Sequence, residues 1–209
     1  MTKLLLRFYD PTDGRILVNG IDIREYNVKA YRALYATAFQ DGKLFARSIY
    51  DNVWMGRQET ENAVSKVREA LKAAGVWEKV ESLPGKMKTM MSREFDEEGV
   101  ILSGGQNQKI LAARAFAKVY GMKCPILVFD EPSSALDPIA EHELMENIKQ
   151  TGKQHILFLI SHRLSSMHDM DRIILLKNGR LTEQGTHDEL MAAGGEYAQL
   201  YQMQAQKYR

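Results

Sequence analysis

Two short stretches of this chain, residues 126–129 and Ile156–Ile160, carry no polar side chain at all. They constrain the fold more than any other feature. A strand with one face in water alternates apolar and polar residues, so a run without alternation reads as buried on both faces. Residues 140–150, between the two runs, place their apolar side chains at helical spacing. Buried strands joined by a helix specify a parallel sheet with helices over its faces. A membrane span is excluded for both runs, since crossing a bilayer takes roughly 20 apolar residues.

The rest of the chain is punctuated around that sheet. Residues 1–9 read as the tail of a helix, stopped by the turn Asp10-Pro11-Thr12-Asp13-Gly14. Residues 15–18 and 21–23 flank Asn19-Gly20, and residues 172–176 and 181–182 flank Asn178-Gly179. Each pair predicts a hairpin, because Asn-Gly suits a two-residue turn with positive φ. Residues 34–39 predict a strand ending at Gln40. Helical spacing recurs over 60–74, with Thr60 as N-cap and Gly75 at the C-terminal end, and over 106–119. Thr186 and Glu189 have the spacing of a capping box that opens a helix. The order is strand-rich, then a helical insert, then strand–helix alternation: an α/β fold.

A length of 209 residues fits one domain, or one domain with a small lobe. The formal charge of +1 gives no large single-sign field, which argues against nucleic acid as the main partner. The start of the chain, residues 1–7, resembles a signal peptide only superficially, because its apolar run is short and no small-residue cleavage site follows. The single cysteine, Cys124, excludes an internal disulfide and reads as a small buried apolar residue.

In open parallel sheets, ligands bind beyond the carboxyl ends of the strands. Three predicted strands here end in polar residues: at Gln40, at Asp130-Glu131 and, after Ser161, at His162. Residues of these types suggest one site for a metal-bound phosphate ester. Asp130, directly ending an apolar strand, is suited to hold Mg²⁺ through a water, and Glu131 to polarise an attacking water as general base. Ser103-Gly104-Gly105 precedes a helix, whose first backbone N–H groups can face an anion. Taken singly, each has a plain alternative. Asp-Glu-Pro is also a strand-ending turn, Ser-Gly-Gly a turn, and a histidine at a strand end is usually structural. Asp137, before Pro138, is also a simple N-cap. The other histidines, at positions 142, 155, 168 and 187, read as surface or capping residues.

Together these residues resemble the nucleotide-binding domain of ABC transporters, especially the exporter type. Leu102-Ser103-Gly104-Gly105-Gln106 resembles the family's signature motif, and residues 126–130 with Glu131 its Walker B strand and catalytic glutamate. Ser134-Ala135-Leu136-Asp137 resembles the D-loop, His162 the switch histidine, and Gln40 the glutamine of the Q-loop. The resemblance extends along essentially the whole chain. It implies a P-loop NTPase-like fold, a mostly parallel sheet flanked by helices, with a helical subdomain at about 55–120. It implies ATP and Mg²⁺ as cofactors. Glu131 and His162 are then catalytic, Asp130 and Gln40 metal-binding, and Gln40, Ser103, Gly104, Gly105, Gln106, Asp130 and Asp137 nucleotide-binding. The implied partners are a second ATPase domain in a head-to-tail dimer and a transmembrane domain, whose coupling helices meet residues 40–52 and 93–99. The resemblance implies that this assembly sits on the cytoplasmic face of the plasma membrane.

The sequence departs from the family pattern at three places. Asp96 stands where exporters usually have glycine, and Lys109 where arginine is common after the signature. The third departure is larger: no G-x-x-x-x-G-K-[ST] phosphate loop occurs in the sequence. Gly42-Lys43, Gly85-Lys86 and Gly152-Lys153 are followed by Leu44, Met87 and Gln154 and do not supply it. The expectation is an N-terminally truncated cassette, without the first strands and phosphate loop, marginally stable and nearly unable to bind nucleotide alone. The alternative is a non-hydrolytic remnant that lends its signature motif to another ATPase domain.

Overall fold

The computed structural model describes residues 1–56, 61–93, 97 and 99–207. The Thr60 cap and Asp96 lie outside the described residues. Two compact units form, Met1–Ile160 and the chain from Ser161 onward.

The first unit is built on a three-stranded parallel sheet in the order β3 (Tyr35–Phe39), β4 (Ile126–Asp130), β5 (Ile156–Ile160). Side chains on successive residues of a strand point to opposite faces, and here both faces are dry. Ile126 and Val128 of β4, with Tyr35 of β3, pack among Leu6, Ile23 and Tyr31. Leu127 and Phe129, with Ala36 and Ala38, face the other way, into a larger core of helical residues. The expected parallel sheet covered on both faces is what forms. β5 departs from its prediction. Ile156 is 58% exposed and the rest of the strand is half-buried. Like β3, β5 has one ladder partner among the described residues, but none of its side chains belongs to the fully buried part of either core.

Over the larger core lies α6 (Gly104–Gly121), flanked by α3 (Ile49–Trp54) and α4 (Ala63–Ala73). Ala112, Ala113, Ala115 and Ala117 are all buried, and their small side chains let neighbouring elements approach the helix closely. Helix α7 (Pro138–Gly152) makes the crossover from β4 to β5. It starts two residues before the apolar spacing predicted, because Asp137 caps it and Pro138 takes the first helical position. The other face carries α1 (Thr2–Leu5), the hairpin β1–β2 (Leu17–Val18 and Ile21–Asp22) and α2 (Val28–Ala33). Asn19 and Gly20 both have positive φ, +51° and +80°, as their turn requires. Helix α5 (Trp77–Glu81) completes the unit's helices among the described residues.

The second unit contains a 3-10 turn (Leu164–Met167), the hairpin β6–β7 (Ile173–Lys177 and Arg180–Gly185), α8 (His187–Ala193) and α9 (Glu196–Lys207). The predicted Thr186–Glu189 capping box is present. His187 is neither a surface nor a capping residue, as the sequence suggested. It is buried, with 9% of its surface exposed, because its ring packs beside Tyr197 and Tyr201 of α9. Cys124 is buried as expected. Among the described residues, no helix is long and apolar enough to cross a membrane.

An all-apolar strand with an open edge invites pairing with another chain. Ile156→Lys, placing a charge at the most exposed position of β5, is expected to reduce light scattering on heating. Stability should change by no more than about 0.5 kcal/mol, as for other surface substitutions.

Candidate functional site at the carboxyl rim of the sheet

Because the three strands are parallel and in register, Phe39, Asp130 and Ile160 lie side by side. The residues that follow them, Gln40 and Glu131 included, therefore leave the sheet at one level. Neighbouring strands are about 4.8 Å apart, so Gln40 and the Asp130-Glu131 pair share one rim. Asp130 is half-buried, and its Oδ2 accepts a hydrogen bond from the Thr2 hydroxyl at 3.1 Å. Glu131 has φ +51°, a left-handed conformation that costs a non-glycine residue on the order of 1–3 kcal/mol. The conformation is doubly constrained, since the following Pro132 also disfavours helical geometry in the residue before it. The Glu131 N–H still donates to the Ile160 carbonyl at 2.9 Å, so the turn begins immediately after the last ladder contact.

Ser103 is the N-cap of α6 and is exposed. Its Oγ accepts from the Gln106 N–H at 3.3 Å, and the Gln106 Oε1 accepts from the Ser103 N–H at 3.0 Å. Gln106 is therefore committed to the cap, while Ser103 and Gly104 face solvent. The two glycines answer different needs. A Cβ on Gly104 would meet only the Ala135 methyl at 3.8 Å, whereas one on Gly105 would lie 2.8 Å from the Ala135 carbonyl oxygen. Gln108 fastens the same contact: its Oε1 accepts from the Ala135 N–H at 2.8 Å and its Nε2 donates to the Ser134 hydroxyl. The structure thus brings together two motifs that are about thirty residues apart in the sequence. The sequence does not single out Gln108, because a glutamine inside a helix carries no motif.

Asp137 caps α7, its Oδ1 accepting from the N–H groups of Ala140 and Ile139 at 3.0 and 3.1 Å. The Ala140 amide, more than any other group, holds its carboxyl below the usual carboxylate range. A second residue that the sequence did not mark is Asn52. Fully buried, it accepts from the Phe45 N–H at 2.8 Å and donates to the carbonyls of Phe45, Arg47 and Ser48. Arg114 of α6 adds to this cluster, donating to the Asn52 carbonyl at 2.8 Å and to that of Lys43 at 3.2 Å. Together they hold the segment after Gln40. That segment is joined to a second loop, the Ile49 N–H donating to Thr89 and the Met91 N–H to Arg47. Lys109 reaches the Gly75 carbonyl at 2.9 Å, a single bond beyond the end of α4.

His162 is exposed and belongs to the second unit, two residues beyond Ile160 in the chain. There Gln204 of α9 brackets it, donating to the His162 carbonyl at 2.6 Å and accepting from the Leu164 N–H at 2.9 Å.

Gly104→Ala and Gly105→Ala should separate. The first should leave the thermal midpoint unchanged or raised, since alanine favours helix. The second forces a methyl group against backbone and should destabilise by about 1–3 kcal/mol, measured by denaturant unfolding. For Asp137 the sign follows from its lowered pKa: the stabilisation is present above the ordinary carboxylate pKa and fades as pH falls through the folded value. Asp137→Ala should therefore lower the melting temperature at pH 7, with a smaller difference once pH drops below the carboxylate range.

A family model described as "ABC transporter" matches residues 1–134. The chain is 40% identical over 207 residues to an ATP-dependent lipid A-core flippase of Paraburkholderia xenovorans, covering 99% of this chain and 33% of that protein. The flippase of the same name from Cupriavidus pinatubonensis is 39% identical over 205 residues, covering 98% and 33%. The structure of a bacterial Atm1-family ABC exporter with ATP bound superimposes with a TM-score of 0.87 at 36% identity, covering 98% of this chain and 34% of that one. The chain spans about a third of the length of these relatives. A family match over residues 1–134, which hold β3, β4 and the rim residues Gln40, Asp130 and Glu131, together with a 40% identical alignment over 99% of the chain, places it in the ABC transporter family.

Proposed function

We propose that this chain is the ATP-hydrolysing part of an exporter, with residues 55–120 as its helical subdomain, working in a head-to-tail dimer at the cytoplasmic face of a membrane. The observation that carries this reading is the common rim of Gln40, Asp130 and Glu131 at the ends of two in-register parallel strands, β3 and β4. The donor set suits Mg²⁺: a half-buried carboxylate oriented by a hydroxyl, with the amide of Gln40 just beyond the end of the next strand, offers oxygen ligands. Asp130 and Gln40 would hold the ion, which when bound neutralises charge on the phosphate oxygens. Glu131, set at the rim by its turn, polarises the attacking water, a role that contributes about 10²–10⁴-fold. His162 is assigned the γ-phosphate side of the same reaction.

Ser103 and Gly104 serve the partner's nucleotide. They sit exposed at the start of an 18-residue helix, where N–H groups and an absent side chain favour a phosphate. Asp137 and the Ser134-Ala135 segment belong to the same dimer face. Residues 40–52 and 93–99, of which 94–96 and 98 lie outside the described residues, are assigned to the coupling helices of a transmembrane domain; bonds from Ile49 to Thr89 and from Met91 to Arg47 brace the first stretch. The sequence contains no G-x-x-x-x-G-K-[ST], so this chain alone is expected to hydrolyse nothing and to bind nucleotide weakly. That same feature favours a second reading, in which the chain is non-hydrolytic and only completes a partner's site.

Mixing the chain with an intact exporter ATPase domain tests both. The chain alone should give no ATPase and no micromolar affinity for a fluorescent nucleotide, while the mixture should hydrolyse ATP faster than the intact domain alone. Ser103→Asp should abolish that gain while leaving stability within about 0.5 kcal/mol, because aspartate caps a helix as well as serine does. Loss of the gain in Glu131→Gln as well would show that this chain's own glutamate is used. An unchanged gain would favour the second reading. Micromolar nucleotide binding by the chain alone would overturn the role given to the phosphate loop.

A further inference from the structure

The second unit holds a cluster that the proposed chemistry does not use. His168, at the end of the 3-10 turn, and His187 and Asp188, at the start of α8, each present one ligand atom, and these atoms lie within 4.8 Å of one another. The two imidazole rings are stacked at an angle, centroids 4.3 Å apart. We infer that His168, His187 and Asp188 form a binding site for a divalent transition-metal ion of the Zn²⁺ class.

Three features of the cluster argue for this. The first is the state of the rings. The His168 Nδ1 is hydrogen-bonded to the Asp169 carboxylate at 2.9 Å, and the His187 Nδ1 to the Tyr197 hydroxyl at 3.0 Å. A partner on Nδ1 fixes each ring's orientation and, when Nδ1 carries the proton, leaves the Nε2 lone pair for a metal. A carboxylate behind a histidine is a usual outer support of a metal ligand, and the Tyr197 hydroxyl takes the same place behind His187. The second is the division between fixed and movable groups. His187 is buried and wedged beside Tyr197 and Tyr201, whereas His168 and Asp188 are exposed. Zinc at about 2.0–2.1 Å from each ligand sets the ligand atoms roughly 3.3 Å apart. Closing from 4.8 Å to that spacing asks only the two exposed side chains to turn toward the fixed one.

The third is chemical selectivity. Two imidazoles and one carboxylate suit Zn²⁺, Co²⁺ or Ni²⁺, while Mg²⁺ and Ca²⁺ prefer all-oxygen sites. A water completes four-coordination. The dipole of a seven-residue helix opposes a cation at its start, but Asp188 and Glu189 in the first turn offset it. The bound ion would clasp the segment after the 3-10 turn to α8.

Titrating the 209-residue chain with Zn²⁺ and with Mg²⁺ in a calorimeter, and with Co²⁺ by visible absorption, tests the site. One Zn²⁺ per chain is expected, with no Mg²⁺ binding at this site, and Co²⁺ should give the intense visible bands of a four-coordinate ion. Asp169→Asn should weaken Zn²⁺ affinity about 10–100-fold, the usual effect of losing an outer partner. His168→Ala and Asp188→Asn should weaken it at least as much. Both positions are exposed, so the fold survives, and far-UV circular dichroism verifies it. His142→Ala, an exposed histidine on α7, should leave affinity unchanged. Unchanged affinity in His168→Ala, equal binding of Mg²⁺, or no saturable binding would each overturn the assignment.

Discussion

Strand β4 meets water on neither face, and the first unit depends on that. Ile126 and Val128 are committed to one core, Leu127 and Phe129 to the other. Each such side chain contributes about 1.5–3 kcal/mol when fully buried. A slip of one residue would exchange the two sets, so the register against β3 and β5 is tightly specified. Register in a parallel sheet also fixes where the strands stop. With Phe39 and Asp130 abreast, the polar residues that follow them, Gln40 and Glu131, leave the sheet at one level. The rim is a by-product of packing.

The parts of the fold that one side chain's chemistry decides could be read from the sequence. Both Asn-Gly turns, the Thr186–Glu189 box and the Asp137–Pro138 start of α7 follow from local rules and appear where those rules put them. Less could be read where short elements depend on distant partners. Helix α2 is six residues long, with Tyr31 its one buried residue, and α3 ends at Met55 in a left-handed conformation. Neither has room for a periodic signal. The exposure of β5 has a related cause: an apolar run reports suitability for burial on two faces, while exposure depends on what packs over them. At the candidate site, residues at strand ends were legible. Asn52, Gln108 and Arg114 were not, because their work is done through contacts 4 to 71 positions away, which no local motif announces.

Strain and satisfaction are distributed unevenly around the rim. Glu131 sits in a left-handed conformation, yet nearby polar groups are well provided for. Ser133, itself buried, donates to Glu141 at 3.0 Å, and the Leu136 N–H reaches the Ser133 carbonyl. The strain is therefore confined to one residue, the one proposed to act on water, and surrounding bonds hold it there. A flexible segment would relieve it by rotating Glu131 back toward the strand.

Helix α6 ties the separate regions together. Its first turn presents Ser103, its second holds Ser134-Ala135 through Gln108, and Arg114, about three turns along, holds the loop after Gln40. An 18-residue helix is about 27 Å long and bends little when its flanks are packed. Four buried alanines and Phe116 lock it between the sheet and α3 and α4. A displacement imposed at its N-terminus cannot be absorbed along its length, because rotating or sliding the helix would break the Arg114 and Gln108 bonds together. On the proposed reading, a nucleotide drawn against Ser103 and a transmembrane segment resting on residues 40–52 act on two points of one helix, its N-terminus and the turn of Arg114. What sets their mechanical connection is the packing of α6, and no chain of polar contacts between them is needed.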